Sequence, residues 1–185
     1  MLKFKVTYAS LSADNEELHG ELDKAFAKVK ETRGSVFPFY IGGKARTSES
    51  FSSSTNPADH KTVIGKVCNS TVEEVQEAVA AARKAYPGWR ATPWQERAKL
   101  VERAAQIIRE RSMELTAWLV LENGKNRVEA LGEIEETADL YDYYAQQLKE
   151  NGGFIREMNK LSPNDTNTSV LRPYGVWAVV APFNF

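Results

Sequence analysis

Apolar residues recur every three or four positions in five stretches of this chain and run unbroken in a sixth, at its C-terminal end. The first stretch spans Ser12 to about Lys30. Leu18, Leu22, Ala25, Phe26 and Val29 share one face there, and Asp14 with Glu17 fits a capping box. This predicts an amphipathic helix that ends at Gly34 and packs on the body of the protein. Acidic residues dominate its polar face, which argues against a membrane-surface role.

The next segment has strand character. Phe37 to Ile41 reads as a strand and Gly42-Gly43 as a turn. Residues 48–54 are polar, fitting a loop or edge strand. Asn56-Pro57-Ala58-Asp59 is a turn signal, and Val63 to Val67 is a short strand.

Helical periodicity then returns. Thr71 with Glu74 starts a helix whose apolar face is Val72, Val75, Ala78, Val79 and Ala82, and Pro87-Gly88 is expected to end it. Thr92 is expected to cap the next helix, with Pro93 in its first turn, Glu96 near the third position and a stripe of Ala98, Val101, Ala104, Ala105 and Ile108. A third piece carries Leu115, Trp118, Leu119 and Leu121 and stops near Gly124. The longest helix runs from about Asn126 to Glu150, with Ala130, Ile134, Thr137, Tyr141, Tyr144 and Leu148 expected on its inner face. Gly152-Gly153 terminates it.

Beyond the glycines the period changes to that of strands. Phe154 to Met158 and Ser169 to Pro173 flank a polar turn region and predict a hairpin. Two strands alone are marginal in water, so this ribbon needs a partner surface. Val176 to Ala181 is apolar on both faces, as in a strand inside a parallel sheet. Such a strand needs parallel neighbours and crossover helices. The expectation is therefore the N-terminal part of a larger α/β enzyme, with an exposed apolar face around Trp177 to Phe185.

Composition narrows the class. Apolar residues make up 42% and charged residues 26% of 185, as in globular domains, and 24 basic against 25 acidic residues leave a net charge of −1. No basic excess points to a nucleic-acid partner. No apolar run approaches the ~20 residues that cross a bilayer, and the N-terminus lacks the pattern of a secretory signal or transit peptide. The single cysteine, Cys68, forms no internal disulfide, which fits a reducing, cytoplasmic compartment. Cys68 reads as a small, partly buried hydrophobe rather than a nucleophile. With His19 and His60 far apart, no metal-ligand spacing exists. The carboxylates Glu129, Glu133, Glu135, Glu136 and Asp139 read as the wet side of the longest helix.

Several short motifs then occur in a fixed order: Phe39-Tyr40-Ile41-Gly42-Gly43-Lys44, Asn56-Pro57-Ala58, a helix from Val72 to Trp89, Gln95-Glu96-Arg97, Glu122-Asn123-Gly124-Lys125, and Pro182-Phe183-Asn184-Phe185 after an apolar strand. In this order they resemble the aldehyde dehydrogenase superfamily over about residues 35–185. Phe183 stands where many members carry tryptophan. Together with the long N-terminal arm and the Tyr143-Tyr144-Ala145 helix end, it is most similar to the branch that oxidises L-glutamate γ-semialdehyde, the Δ1-pyrroline-5-carboxylate dehydrogenases.

The resemblance implies an α/β fold: the helical part of an aldehyde-dehydrogenase-like domain, with short hairpins and the first strand of the cofactor-binding sheet, incomplete as a domain. It implies NAD-dependent oxidation of a small aldehyde to an acid, with NADP not excluded. A cysteine thiolate attacks, hydride leaves to nicotinamide, and a glutamate activates water. Neither that cysteine nor that glutamate has a counterpart here, so the chain by itself is expected to be inactive. Asn184 matches the asparagine whose side-chain amide donates to the developing oxyanion, a role suited to a neutral N–H donor. Read without the resemblance, Asn184 is a turn residue, Phe185 is core, and Ala181, Pro182 and Phe183 are an ordinary strand end. The resemblance places Ala181, Pro182 and Phe183 beside the cofactor and Phe185 along the aldehyde's path. It implies a homo-oligomer assembled through the hairpin.

The layout expected is a helical arm at 1–34, a hairpin and helical part of the cofactor-binding domain at 35–150, an oligomerisation hairpin at 151–175, and the first sheet strand at 176–185. Two other readings stay open: another aldehyde dehydrogenase branch, acting for example on succinic semialdehyde or betaine aldehyde, and a non-catalytic helical interaction module.

Overall fold

The computed structural model describes residues 14–181. The first helix, α1, is Glu16–Glu31. Its N-cap is Asn15, whose side chain accepts from the Leu18 N–H at 3.0 Å, so the expected box of Asp14 with Glu17 is not what starts it. Asparagine's short amide reaches the first free N–H groups as well as aspartate does, and its register wins here. Leu18, Leu22, Phe26 and Val29 are buried as the spacing predicts.

Strands follow. β1 (Val36–Phe37) and β2 (Phe39–Ile41) are separated at Pro38, which lacks the N–H needed to continue a ladder, so the single strand expected from Phe37 to Ile41 is two. β2 pairs with β3 (Lys44–Arg46) across the Gly42-Gly43 turn, where both glycines have positive φ. β4 (Phe51–Asn56) is the edge strand that the polar run suggested. β5 (Asp59–Cys68) is ten residues long, well beyond the expected five. It is the centre of a three-stranded sheet ordered β1-β5-β4, parallel to β1 and antiparallel to β4. Pairing with β4 from Asp59 to Cys68 lengthens it; β1 meets it only at Lys66 and Val67.

α2 (Val72–Ala91) opens with the predicted capping box: Thr71 accepts from the Glu74 N–H, and the Glu74 carboxylate accepts from the Thr71 N–H at 2.8 Å. It does not stop at Pro87-Gly88. Pro87 sits inside the helix and removes one bond, and the last turn is closed by Thr92, whose N–H and hydroxyl both donate to the Gly88 carbonyl. Thr92 therefore caps the end of α2, not the start of α3 (Trp94–Glu110), whose N-cap is Pro93. The inward positions of α3 are as expected, with Ala98 and Ala105 fully buried.

α4 (Ser112–Asn123) ends on Gly124 at φ 74, a left-handed cap open to glycine. α5 (Arg127–Glu150) starts where expected, with Asn126 as its N-cap, but its buried positions are Ala130, Leu131, Ala138 and Ala145. Tyr141 and Tyr144, expected inside, are 42% and 65% exposed, and Thr137 is exposed too. The reason is the neighbour. α3 packs along α5, and the buried residues of both helices there are alanines spaced by seven, so the axes approach on the small side chains and the bulky tyrosines turn outward. Arg109 of α3 spans the contact, donating to Asp139 and to Asp142 at 2.6 Å each and lying 3.6 Å from Glu135.

The main apolar cluster is Leu18, Leu22, Phe26, Val29, Ala117 and Leu131, so α1 packs on α4 and α5 rather than standing free. Arg127 fixes the junction by donating to Asp23 at 2.6 Å, with its guanidinium 5.1 Å from the Phe26 ring centre. The sheet joins through Phe37, whose ring meets Trp118 edge-on at 5.8 Å. A short 3-10 turn at Gly152–Phe154 leads to the predicted hairpin, β6 (Ile155–Glu157) and β7 (Thr168–Val170).

Candidate functional site

The candidate residues lie beyond β7, and residues 171–181 are the described segment that leads to them. Two bonds moor the start of this segment: the Leu171 N–H donates to the Phe154 carbonyl at 3.1 Å, and the Tyr86 hydroxyl donates to the Pro173 carbonyl at 2.5 Å. Gly175 then turns the chain at φ 130, a conformation open to glycine. From Val176 the segment runs past the outer face of α2. Val176, Trp177 and Ala178 line an open groove of about 570 Å³ with Phe39 and Ile41 of β2 and Val75, Val79 and Arg83 of α2.

The apolar stripe of α2 is thus where the spacing placed it, but among the described residues β2 and residues 176–178 cover it only in part. Val72, Val75 and Val79 are 69%, 51% and 38% exposed. Val176 to Ala181 was expected as a strand within a parallel sheet. No described strand pairs with it, and Val179 and Val180 are 86% and 89% exposed. A ladder needs a neighbour, and apolar sequence alone does not make one. The exposed apolar face expected from Trp177 onward is present through Val180.

Of the five expected site residues, only Ala181 is described; it is exposed and outside any ladder. Asn184, Pro182, Phe183 and Phe185 lie outside the described residues. The structure adds Tyr86 and the α2 groove to the neighbourhood of the segment. Nothing in the sequence signals the bond from Tyr86 to Pro173, since the two are 87 residues apart and local patterning carries no information on such a contact.

Other candidate groups have structural duties. Cys68 is 4% exposed and its thiol donates to the Ser48 carbonyl at 3.7 Å, so it is packed and engaged rather than open to a substrate. In the acidic run of α5, Glu129 accepts from the Asn126 side chain, Glu133 pairs with Lys125, and Glu135 and Asp139 surround Arg109. No group of three His, Cys, Asp or Glu positioned to hold a metal occurs among the described residues. The motif Glu122-Asn123-Gly124-Lys125 ties the β4–β5 hairpin to the helices. Ser54 donates to Glu122, and a β-carbon on Gly124 would come within 2.9 Å of Pro57. Among the described residues, no helix is long and apolar enough to cross a membrane.

The helical layer, the paired hairpins and the motif order converge on one class. The model of the aldehyde dehydrogenase family matches residues 44–185, and the chain belongs to that family. Its relatives include 1-pyrroline-5-carboxylate dehydrogenase 2 of Bacillus subtilis, 38% identical over 164 residues, covering 88% of this chain and 31% of the relative. The 1-pyrroline-5-carboxylate dehydrogenase of Oceanobacillus iheyensis is 32% identical over 172 residues, covering 92% and 33%. Among solved structures, the chain is similar to 1-pyrroline-5-carboxylate dehydrogenase from Thermus with bound NAD, at TM-score 0.73 and 32% identity over 81% of this chain and 29% of that one. Proline utilization A from Bdellovibrio bacteriovorus follows at TM-score 0.69 and 33% identity, covering 71% and 14%. The chain spans about a third of the length of the curated relatives it matches. Over that region its fold is that of the aldehyde dehydrogenases.

Proposed function

We propose that this chain contributes the helical part and the oxyanion-binding residue of an NAD-dependent aldehyde dehydrogenase that oxidises L-glutamate γ-semialdehyde to L-glutamate. The observation that carries this reading is the joint agreement of sequence and fold with one branch, at 32–38% identity to its curated members and TM-score 0.73 to a solved one.

In this reading Asn184 donates its side-chain amide to the oxygen that gains negative charge as the aldehyde carbon becomes tetrahedral. A neutral amide suits the task because it neither titrates nor needs to reorganise. Phe185 offers an apolar wall to the methylenes of the aldehyde. Ala181, Pro182 and Phe183 would hold the nicotinamide cofactor by their backbone. The described part of that trio fits: Ala181 is exposed and carries only a methyl, leaving its backbone open on that side. When bound, NAD supplies the hydride acceptor; NADP remains the alternative. The only cysteine, Cys68, is buried and engaged with Ser48, so we assign no nucleophile to this chain and expect the 185 residues alone to yield no NADH.

The same reading divides the chain into an arm at 1–34, a hairpin and helical part at 35–150, an assembly hairpin at 151–175 and the first sheet strand at 176–185. The edges of β6 and β7 are exposed along their whole length, which suits extension of a partner subunit's sheet in a homo-oligomer. The free thiol of Cys68 suits a reducing, cytoplasmic setting.

The test is kinetic, on the protein expressed from its full gene. NADH formation is followed with L-glutamate γ-semialdehyde, succinic semialdehyde and betaine aldehyde, for the parent and for Asn184→Ala. The expected result is a preference for the first substrate and a fall in kcat of about 10²–10³-fold in the variant with little change in KM. Unchanged turnover would remove Asn184 from the mechanism; preference for another aldehyde would move the protein to another branch.

A further inference from the structure

We draw no further inference here: the strongest candidate, the open apolar groove between α2, the β2–β3 hairpin and residues 176–178, is an unpartnered face for which nothing in the structure shows what covers it.

Discussion

The indole of Trp94, at the start of α3, lies directly against the backbone of Gly153, just past the end of α5. A β-carbon on Gly153 would come within 2.3 Å of the Trp94 Cδ1 and 2.4 Å of its Cγ, and Gly153 has φ +71. Two independent constraints thus require glycine at this position: a left-handed backbone, and an aromatic ring occupying the space of a side chain. The contact joins the beginning of one helix to the end of the helix packed beside it and sets where the β6–β7 ribbon leaves the body.

Gly153→Ala therefore combines backbone strain with overpacking, about 2–4 kcal/mol in all. Amide hydrogen exchange in the last turn of α5 and in β6 is expected to accelerate by about two orders of magnitude. Gly152→Ala is the control. Gly152 also has positive φ, +57, but open space around it, so only the backbone cost of about 1 kcal/mol applies. Equal effects in the two variants would show that the Trp94 contact contributes nothing.

Thr116 of α4 is fully buried and its hydroxyl has no hydrogen-bond partner among the described residues. Valine has the same shape without the polar group. Thr116→Val is expected to stabilise α4 by about 1 kcal/mol, seen as roughly fivefold slower exchange of its amides. Slower folding or faster exchange would mean the hydroxyl is satisfied in solution.

The Glu114 carboxylate accepts from the Arg111 guanidinium at 2.8 Å and 3.1 Å, and this hydrogen bonding, opposed by partial burial and aided by the charges of Arg111 and Lys28, holds its pKa below the ordinary 4.5. A carboxyl with a depressed folded-state pKa binds fewer protons than its unfolded counterpart. Its stabilisation is present above the ordinary value and fades as the pH falls through the folded one. The pair is partly exposed, so the effect is small. Parent and Glu114→Gln are expected to differ in melting temperature at neutral pH and to converge in acid below the ordinary carboxylate range. A difference that persists there would assign the effect to packing.

The apolar run past Gly175 carries the last prediction. Trp177, which shares a groove with the exposed valines of α2, is 70% exposed, and Val179 and Val180 after it are 86% and 89% exposed. The 185-residue chain on its own is expected to bind a hydrophobic dye and to associate at micromolar concentration. Val179→Lys with Val180→Lys should suppress association while leaving the far-ultraviolet dichroism unchanged. A monodisperse, dye-silent parent would show that this face is covered.

The elements of this protein follow from local chemistry. Asn126 and the Thr71–Glu74 box start helices, Gly124 and Gly152 end them, and the Gly42-Gly43 turn folds its hairpin, because capping and positive φ are decided within a few residues. The family was legible for a related reason, since its motifs are short and their order is linear. Contacts between distant segments decided the rest. The inner face of α5 came out rotated because α3 packs on alanines. Pro87 stayed inside α2 because Thr92 closes the last turn, and β5 doubled in length because β4 pairs with it from Asp59 to Cys68. The run from Val176 to Ala181 shows the division most clearly: its apolar character is written in the residues, but a strand exists only where a second backbone accepts and donates its hydrogen bonds.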